Sequence, residues 1–343
     1  MKQIIRKTAV FVLPFLFLYV ITLLFYGNAI SSPDLLRVGY FPVFEEYREV
    51  FQKEFDNKVC FYKVSEDKVK KSKILTIGDS FSEQSSFGYK NYLAEKYSVL
   101  HVDRFIASNQ IQTLYQFLNS GFFEEHKVEY VILENVERGF VANLNEMDTL
   151  KMKMKPQLKK QLINQRPVMK KGDKSFFSRE TIIFPFSMFR FYVDENYLSN
   201  ENIYNVTLKT DKFFSNSSNK LLFFLEDVSR LELNNNLTEI KKLNDVLNDL
   251  SKKLWSKKVK LIVLPAPDKY DLYYDYIADK TNFPKPLFFQ YLGSLKKEYI
   301  YIDSKKSLSS KLKSEKDIYF YDDTHWSPVG ARIIANEIEG IIK

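Results

Sequence analysis

From Lys73 onward, short β-branched runs alternate with amphipathic stretches, and this rhythm constrains the fold more than any other feature of the chain. The runs 74–77, 99–102, 128–133, 259–264 and 299–302 are each brief and largely apolar, as strands covered on both faces must be. Between them, residues 91–96, 110–118, 237–254 and 288–297 read as crossover helices, and 328–342 reads as a closing helix. Strands joined by helices predict an α/β fold, a three-layer α/β/α domain built on a five-stranded parallel sheet. An apolar fraction of 45%, with 30 Phe and 22 Tyr, suffices to fill such a core. The ten Gly and eleven Pro rule out collagen-like and low-complexity chains, and the single cysteine, Cys60, rules out a disulfide framework or a Cys-rich zinc module.

One interval breaks the rhythm. About 100 residues, roughly 139–236, separate the third strand from the next crossover helix, far more than an ordinary connection, and predict an insertion. Between Lys151 and Lys174 it carries nine basic residues against one acid, Asp173, which accounts for the formal charge of +8. Such a segment can be a solvated face, or it can gather anionic polymers or lipid headgroups. No recognition motif accompanies it, so nucleic acid is not an expected partner. The aromatic patch 184–192 packs the insertion onto the domain or offers rings to sugar or lipid.

At the start, Lys2, Arg6 and Lys7 precede an uncharged apolar run, Thr8–Tyr26. At about 1.5 Å per residue this run spans most of a bilayer core, and the positive flank places the N-terminus in the cytoplasm and the body outside it. A signal peptide competes with this reading, but its apolar core is ordinarily about 7–15 residues. The expected organisation is a signal-anchor transmembrane helix over 1–30, a membrane-proximal segment over 31–72 and a catalytic domain over 73–343.

Two blocks carry chemistry. Gly78-Asp79-Ser80-Phe81-Ser82 follows the first strand, where a small Gly permits a sharp turn that presents Ser80 at the carboxyl end of the sheet. A helix start after it would stabilise an oxyanion, or Asp79 and Ser80 would simply cap that helix. Asp322-Asp323-Thr324-His325-Trp326 follows the fifth strand. The chain has three histidines; His101 and His126 fall in or beside strands, whereas His325 has two carboxylates within three positions. A serine nucleophile needs such a base with an acid to hold its tautomer. The histidine count leaves no zinc ligand set, and no cofactor is implied.

In this order the blocks resemble the GDSL/SGNH hydrolase superfamily, whose nucleophile block reads Gly-Asp-Ser-Leu/Phe and whose last block reads Asp-x-x-His. Asp323-Thr324-His325-Trp326 is similar to the Asp-Thr-His-Trp element of its alginate O-acetyltransferase-like branch, membrane-associated proteins that acetylate exported polysaccharide. The resemblance covers about residues 73–143 and 259–343 and implies an SGNH-like, flavodoxin-like domain. The branch spacing favours Asp323 as the triad acid, and the superfamily spacing favours Asp322. In place of the superfamily's Gly-x-Asn-Asp stands Glu134-Asn135-Val136-Glu137-Arg138, similar to the Glu-Arg element of the branch. The serine here precedes the His block, the ordinary superfamily order, whereas in the alginate proteins it follows.

The resemblance implies Ser80 as nucleophile, His325 as base and Asp323 or Asp322 as acid, with Asp79, Asn135, Arg138 or Asn109 supporting the oxyanion and Trp326 contacting substrate. For Arg138 the plainer expectation is a salt bridge. The activity the resemblance implies is O-acyl transfer, with acetyl as the acyl group, to hydroxyls of an exported or cell-surface polysaccharide, with an integral-membrane O-acyltransferase supplying the acyl group. A membrane-anchored carbohydrate esterase would use the same triad, and a non-catalytic polysaccharide-binding or assembly protein would need none of it.

Overall fold

Alternate side chains of one central sheet feed two separate cores, and that division sets where every other element lies. The computed structural model describes residues 2–29, 34–39, 45–66, 71–148, 150–153 and 202–342. Along the chain run helices α1 (Lys2–Ala29) and α2 (Asp34–Gly39), a 3₁₀ helix Glu45–Phe51, and strands β1 (Tyr62–Lys63) and β2 (Lys71–Ile77). Then come α3 (Tyr89–Ala94), β3 (Val99–Val102), α4 (Gln110–Asn119), β4 (Lys127–Val136) and α5 (Glu137–Asn145). The second half holds β5 (Ile203–Thr207), β6 (Lys220–Phe224), α6 (Leu237–Ser256), β7 (Lys260–Ala266), α7 (Lys269–Tyr273), α8 (Phe288–Ser294), β8 (Ile300–Tyr301) and α9 (Pro328–Ile341).

The main sheet has six strands in the order β1-β3-β2-β4-β7-β8, all parallel. Five were expected. The extra edge strand, β1, is two residues long and too short to show a period, yet Tyr62 and Lys63 pair with Leu100 and His101 of β3. Within β2, Ile74 faces one core and Leu75 and Ile77 the other; Ile132 and Val131, like Ile262 and Val263, divide the same way. Helices α3 and α9 close the first face, and α4, α5, α6 and α8 close the second, which makes the three layers. The expected domain start at 73 falls inside β2.

Of the insertion, β5 and β6 form an antiparallel hairpin whose Ile203, Leu221 and Phe223 join the α3/α9 core. The basic stretch beyond Lys153 and the aromatic patch 184–192 lie outside the described residues.

The expectation of a transmembrane helix is not supported. Among the described residues no helix is long and apolar enough to cross a membrane. Helix α1 contains Pro14.

Between α1 and β2, the described residues 45–66 pack onto the domain. Phe51 meets Phe320 edge-on at 5.5 Å, and Phe55 lies 5.0 Å from Phe87 and 6.3 Å from Phe320. Ser86 Oγ donates to the Phe55 carbonyl at 2.8 Å, and the Cys60 N–H donates to Asn91 Oδ1 at 2.7 Å. The arm therefore lies along the first face of the sheet, above the last block of the chain.

Candidate active site

Strand β2 ends at Ile77, and the next five residues form a tight turn held by carboxylates. The Asp79 N–H and Ser82 Oγ both donate to Glu134 Oε2, at 3.1 and 2.7 Å. Asp79 in turn accepts the Phe81 N–H at Oδ1 (2.9 Å) and the Val136 N–H at Oδ2 (2.7 Å), tying the turn to the end of β4. A Cβ at Gly78 would sit 2.1 Å from Ser82 Oγ and 2.3 Å from Glu134 Oε2, so only glycine fits. Glu134 is wholly buried; burial, and then the charge of Asp79, push its carboxyl well above the usual range. Ser80 is half-buried at the crest of this turn.

No helix follows Ser80, contrary to expectation. Residues 80–82 are a turn, and α3 begins only at Tyr89 with Gly88 before it, so Asp79 and Ser80 cap nothing. Carboxylates consume the Asp79 and Phe81 N–H groups that a helix start would have left open.

The second block returns on itself: the Phe320 N–H donates to the His325 carbonyl, and the Ser327 N–H to that of Ile318. Ser327 then caps α9, with Pro328 in its first turn. Asp323 Oδ1 stands 2.5 Å from His325 Nδ1 and also accepts the His325 N–H at 3.1 Å. With the Nδ1 proton held there, Nε2 is the basic nitrogen. It is buried and has no hydrogen-bond partner among the described residues. Burial alone would lower the His325 pKa; the Asp323 carboxylate, then Asp34 and Asp79, outweigh it and hold it above the ordinary 6.5. Burial also opposes the charge of Asp323, but His325 and Arg48 overcome it and keep this carboxyl well below the usual range.

Asp322 does not face His325. It takes the Arg48 fork, with Nη2 at 2.9 Å and Nε at 3.2 Å from Oδ1.

The two blocks meet through rings and one side chain. Phe81 packs 4.7 Å from the His325 ring and 4.9 Å from Trp326. Gln84 clasps Trp326 from both ends: Nε2 donates to its carbonyl at 2.6 Å, and its indole N–H donates to Oε1 at 2.7 Å. Trp326 is completely buried, so the expectation that it contacts substrate is corrected. It is the packing post that joins the two blocks.

Ser80 opens onto a cleft of about 340 Å³ lined also by Asp79, Arg104, Asn135, Arg138 and Arg230. Asn135 is buried beneath it; Nδ2 donates to Gln110 Oε1 at 2.8 Å. Arg138 binds Asp227 at 3.1 Å and also Asp268, a buried salt bridge of the kind whose disruption costs about 3–5 kcal/mol. Asn109 caps α4, accepting the Gln112 N–H at 3.0 Å and donating to the Asn143 carbonyl, and does not line the cleft.

Three residues without a role in the sequence reading stand at this site: Glu134, Asp34 and Arg48. Asp34 accepts both the Thr324 N–H (2.9 Å) and Oγ1 (2.6 Å) and lies 3.6 Å from His325 Nδ1. Burial, then the nearby Asp323, push its carboxyl up to about 6. Glu134 sits in a quoted block; nothing local in the sequence marks Asp34 or Arg48. Asp34, Asp323 and His325 bring ligand atoms within 4.8 Å of one another, yet all three are engaged by protein groups.

A parallel sheet carries a serine turn at one strand end, with an Asp-His pair packed against it. Residues 222–343 match the family model described as the SGNH hydrolase-like domain of acetyltransferase AlgX, which supports the alginate O-acetyltransferase-like branch. The matched span includes the His325 block and ends the chain; Ser80 lies before it. The match supports acetyl-transfer or ester chemistry on polysaccharide. No curated protein and no solved structure matches the chain.

Proposed function

We propose that the chain is a serine-dependent O-acyltransferase that moves an acyl group, acetyl by the resemblance, onto hydroxyls of an exported or cell-surface polysaccharide. The observation that carries this reading is His325: Nδ1 is fixed by Asp323, and Nε2, beside the serine turn, is buried and has no hydrogen-bond partner among the described residues. His325 Nε2 takes the Ser80 proton as Oγ bonds to the acyl carbon. The donor's leaving group departs with that proton. A sugar hydroxyl then attacks the acyl-serine, gives its proton to His325, and the ester leaves while Ser80 regains its hydrogen.

Asp323 steadies the imidazolium, and Asn135 and Arg138 support the cleft. The membrane attachment and extracytoplasmic location expected from the N-terminus belong to this proposal, as does an integral-membrane O-acyltransferase as donor. Exposed Phe11, Phe15 and Phe17 on α1 favour attachment, since large apolar side chains clustered on one helix call for a cover. A second reading, hydrolysis by the same triad, is favoured by the half-exposed Ser80, which water reaches.

The test incubates the full chain with a chromogenic acetyl ester, with and without short sugar oligomers, beside Ser80→Ala and His325→Ala. Acetyl on sugar, lost in both variants, is the expected result. Free acetate alone, whatever sugar is offered, makes the chain an esterase. Equal inactivity of all three proteins, with no acetyl on Ser80, contradicts the catalytic reading and leaves glycan binding.

A further inference from the structure

The last block is clamped from outside the sheet. Arg48 divides its guanidinium between Asp322 and Asp323: it meets Asp322 through Nη2 and Nε, and Asp323 Oδ2 through Nη2 at 3.1 Å. Because Arg48 takes Oδ2, the other oxygen of Asp323 is left for His325. Asp34 holds Thr324 by its backbone and side chain together. Every residue from Asp322 to Thr324 is thus gripped by a side chain about 275–290 positions away, and the grip ends one residue before the base. Arg48 is itself seated 4.2 Å over the Phe320 ring, within the Phe51–Phe55–Phe87–Phe320 cluster.

We propose that the arm segments 34–39 and 45–56 are a working part of the active site, with Arg48 and Asp34 as positioning residues that hold Asp323 and Thr324 so that His325 Nε2 points at Ser80. This rests on the serine-acyltransferase reading. Neither residue touches a reacting atom. Arg48 holds Asp323 Oδ2 through Nη2 alone while its Nε and Nη2 take Asp322, so one planar guanidinium, itself seated on Asp322, fixes the Asp323 carboxylate rotamer. Asp34 adds a second negative charge beside the imidazole.

The charged groups around His325 come from four more elements: Asp323 and Asp322 from its own loop, Asp79 from the serine turn, Arg48 from the 3₁₀ helix, and Lys269 from α7. Lys269 donates to the Phe320, Tyr321 and Asp323 carbonyls. Burial brings its pKa down to about 7, against the pull of Asp322 and Asp323.

The test uses the full chain, labelled at the histidine Cε1 carbons, as wild type, Asp34→Asn, Arg48→Ala and Arg48→Lys. In wild type the His325 signal titrates above pH 6.5; in Asp34→Asn its midpoint falls by about half a pH unit or more, the scale of one lost charge near 4 Å. Arg48→Ala lowers kcat for ester cleavage about 10- to 100-fold with KM within about twofold, and Arg48→Lys recovers part of it. A His325 midpoint unmoved in Asp34→Asn overturns the proposal whatever the activity, as does wild-type kcat in Arg48→Ala. If Arg48→Ala fails to fold, the Asp34→Asn titration decides alone. A wild type that neither cleaves ester nor acylates at Ser80, but still shows the titration shift, sinks the enzymatic reading and leaves the clamp standing.

Discussion

The serine turn and the histidine loop meet at one site but are held in opposite ways. The turn is fixed from within the sheet, by Glu134 and by the Val136 N–H, both on the adjacent strand β4. The loop is fixed from outside it, by Arg48 and Asp34 of an arm that crosses the first face. A turn anchored to a neighbouring strand is as rigid as the sheet itself. A loop anchored by an arm is only as rigid as the arm's docking, here a cluster of four phenylalanines, each contributing about 1.5–3 kcal/mol when fully buried. The serine turn is therefore built into the fold, and the histidine loop depends on a peripheral segment.

The largest expected effect separates the two aspartates of the loop. Asp323→Asn leaves His325 in the wrong tautomer and lowers kcat by about 100-fold or more, whereas Asp322→Asn, which loosens only the Arg48 fork, costs about tenfold or less. Steady-state ester cleavage by both variants checks this, and equal losses would erase the distinction between the two carboxylates.

On the serine side, Gly78→Ala forces a methyl into Ser82 and Glu134 and lowers unfolding free energy by about 1–3 kcal/mol, read from thermal melts. An unchanged melt would show that the turn yields and is not sheet-rigid. Trp326→Phe removes the indole N–H that Gln84 Oε1 accepts and leaves that oxygen buried without it, at a cost of about 1–2 kcal/mol in the same melts.

The smallest effect concerns pH. In the proposed mechanism His325 must be neutral to accept the Ser80 proton, and its pKa is raised, so kcat/KM is expected to decline as pH falls through a limb above 6.5. A limb at or below 6.5 in a pH series would mean that the carboxylates do not reach the ring.

The layered fold was readable because each strand and each long helix carries its own period: α4, α6 and α9 begin at the residues the pattern marks, Gln110, Leu237 and Pro328. What escaped was short or non-periodic. Strand β1 has two residues, α7 has five, and α5 (Glu137–Asn145) follows β4 without a break, across the boundary between the quoted 134–138 block and the interval read as an insertion.

At the site, Ser80, Asp323 and His325 stand out because their chemistry is local: a carboxylate two positions from a histidine, and a serine after a glycine. Trp326 was expected to contact substrate through the resemblance of its Asp-Thr-His-Trp element, and only the fold reveals that Phe81 and Gln84 enclose it. Asp34 and Arg48 lie among ordinary charged residues, and their partners are fixed by tertiary packing with no sequence spacing to mark it.

The most direct measurement is peptide mapping of the full chain after brief exposure to an activated acetyl ester, in wild type and His325→Ala. Acetyl confined to the peptide containing Ser80 in wild type, and reduced at least about 100-fold in His325→Ala, is the result expected if the two blocks form one acyl-transfer centre. Acetyl absent from Ser80, or present equally in both proteins, would contradict it.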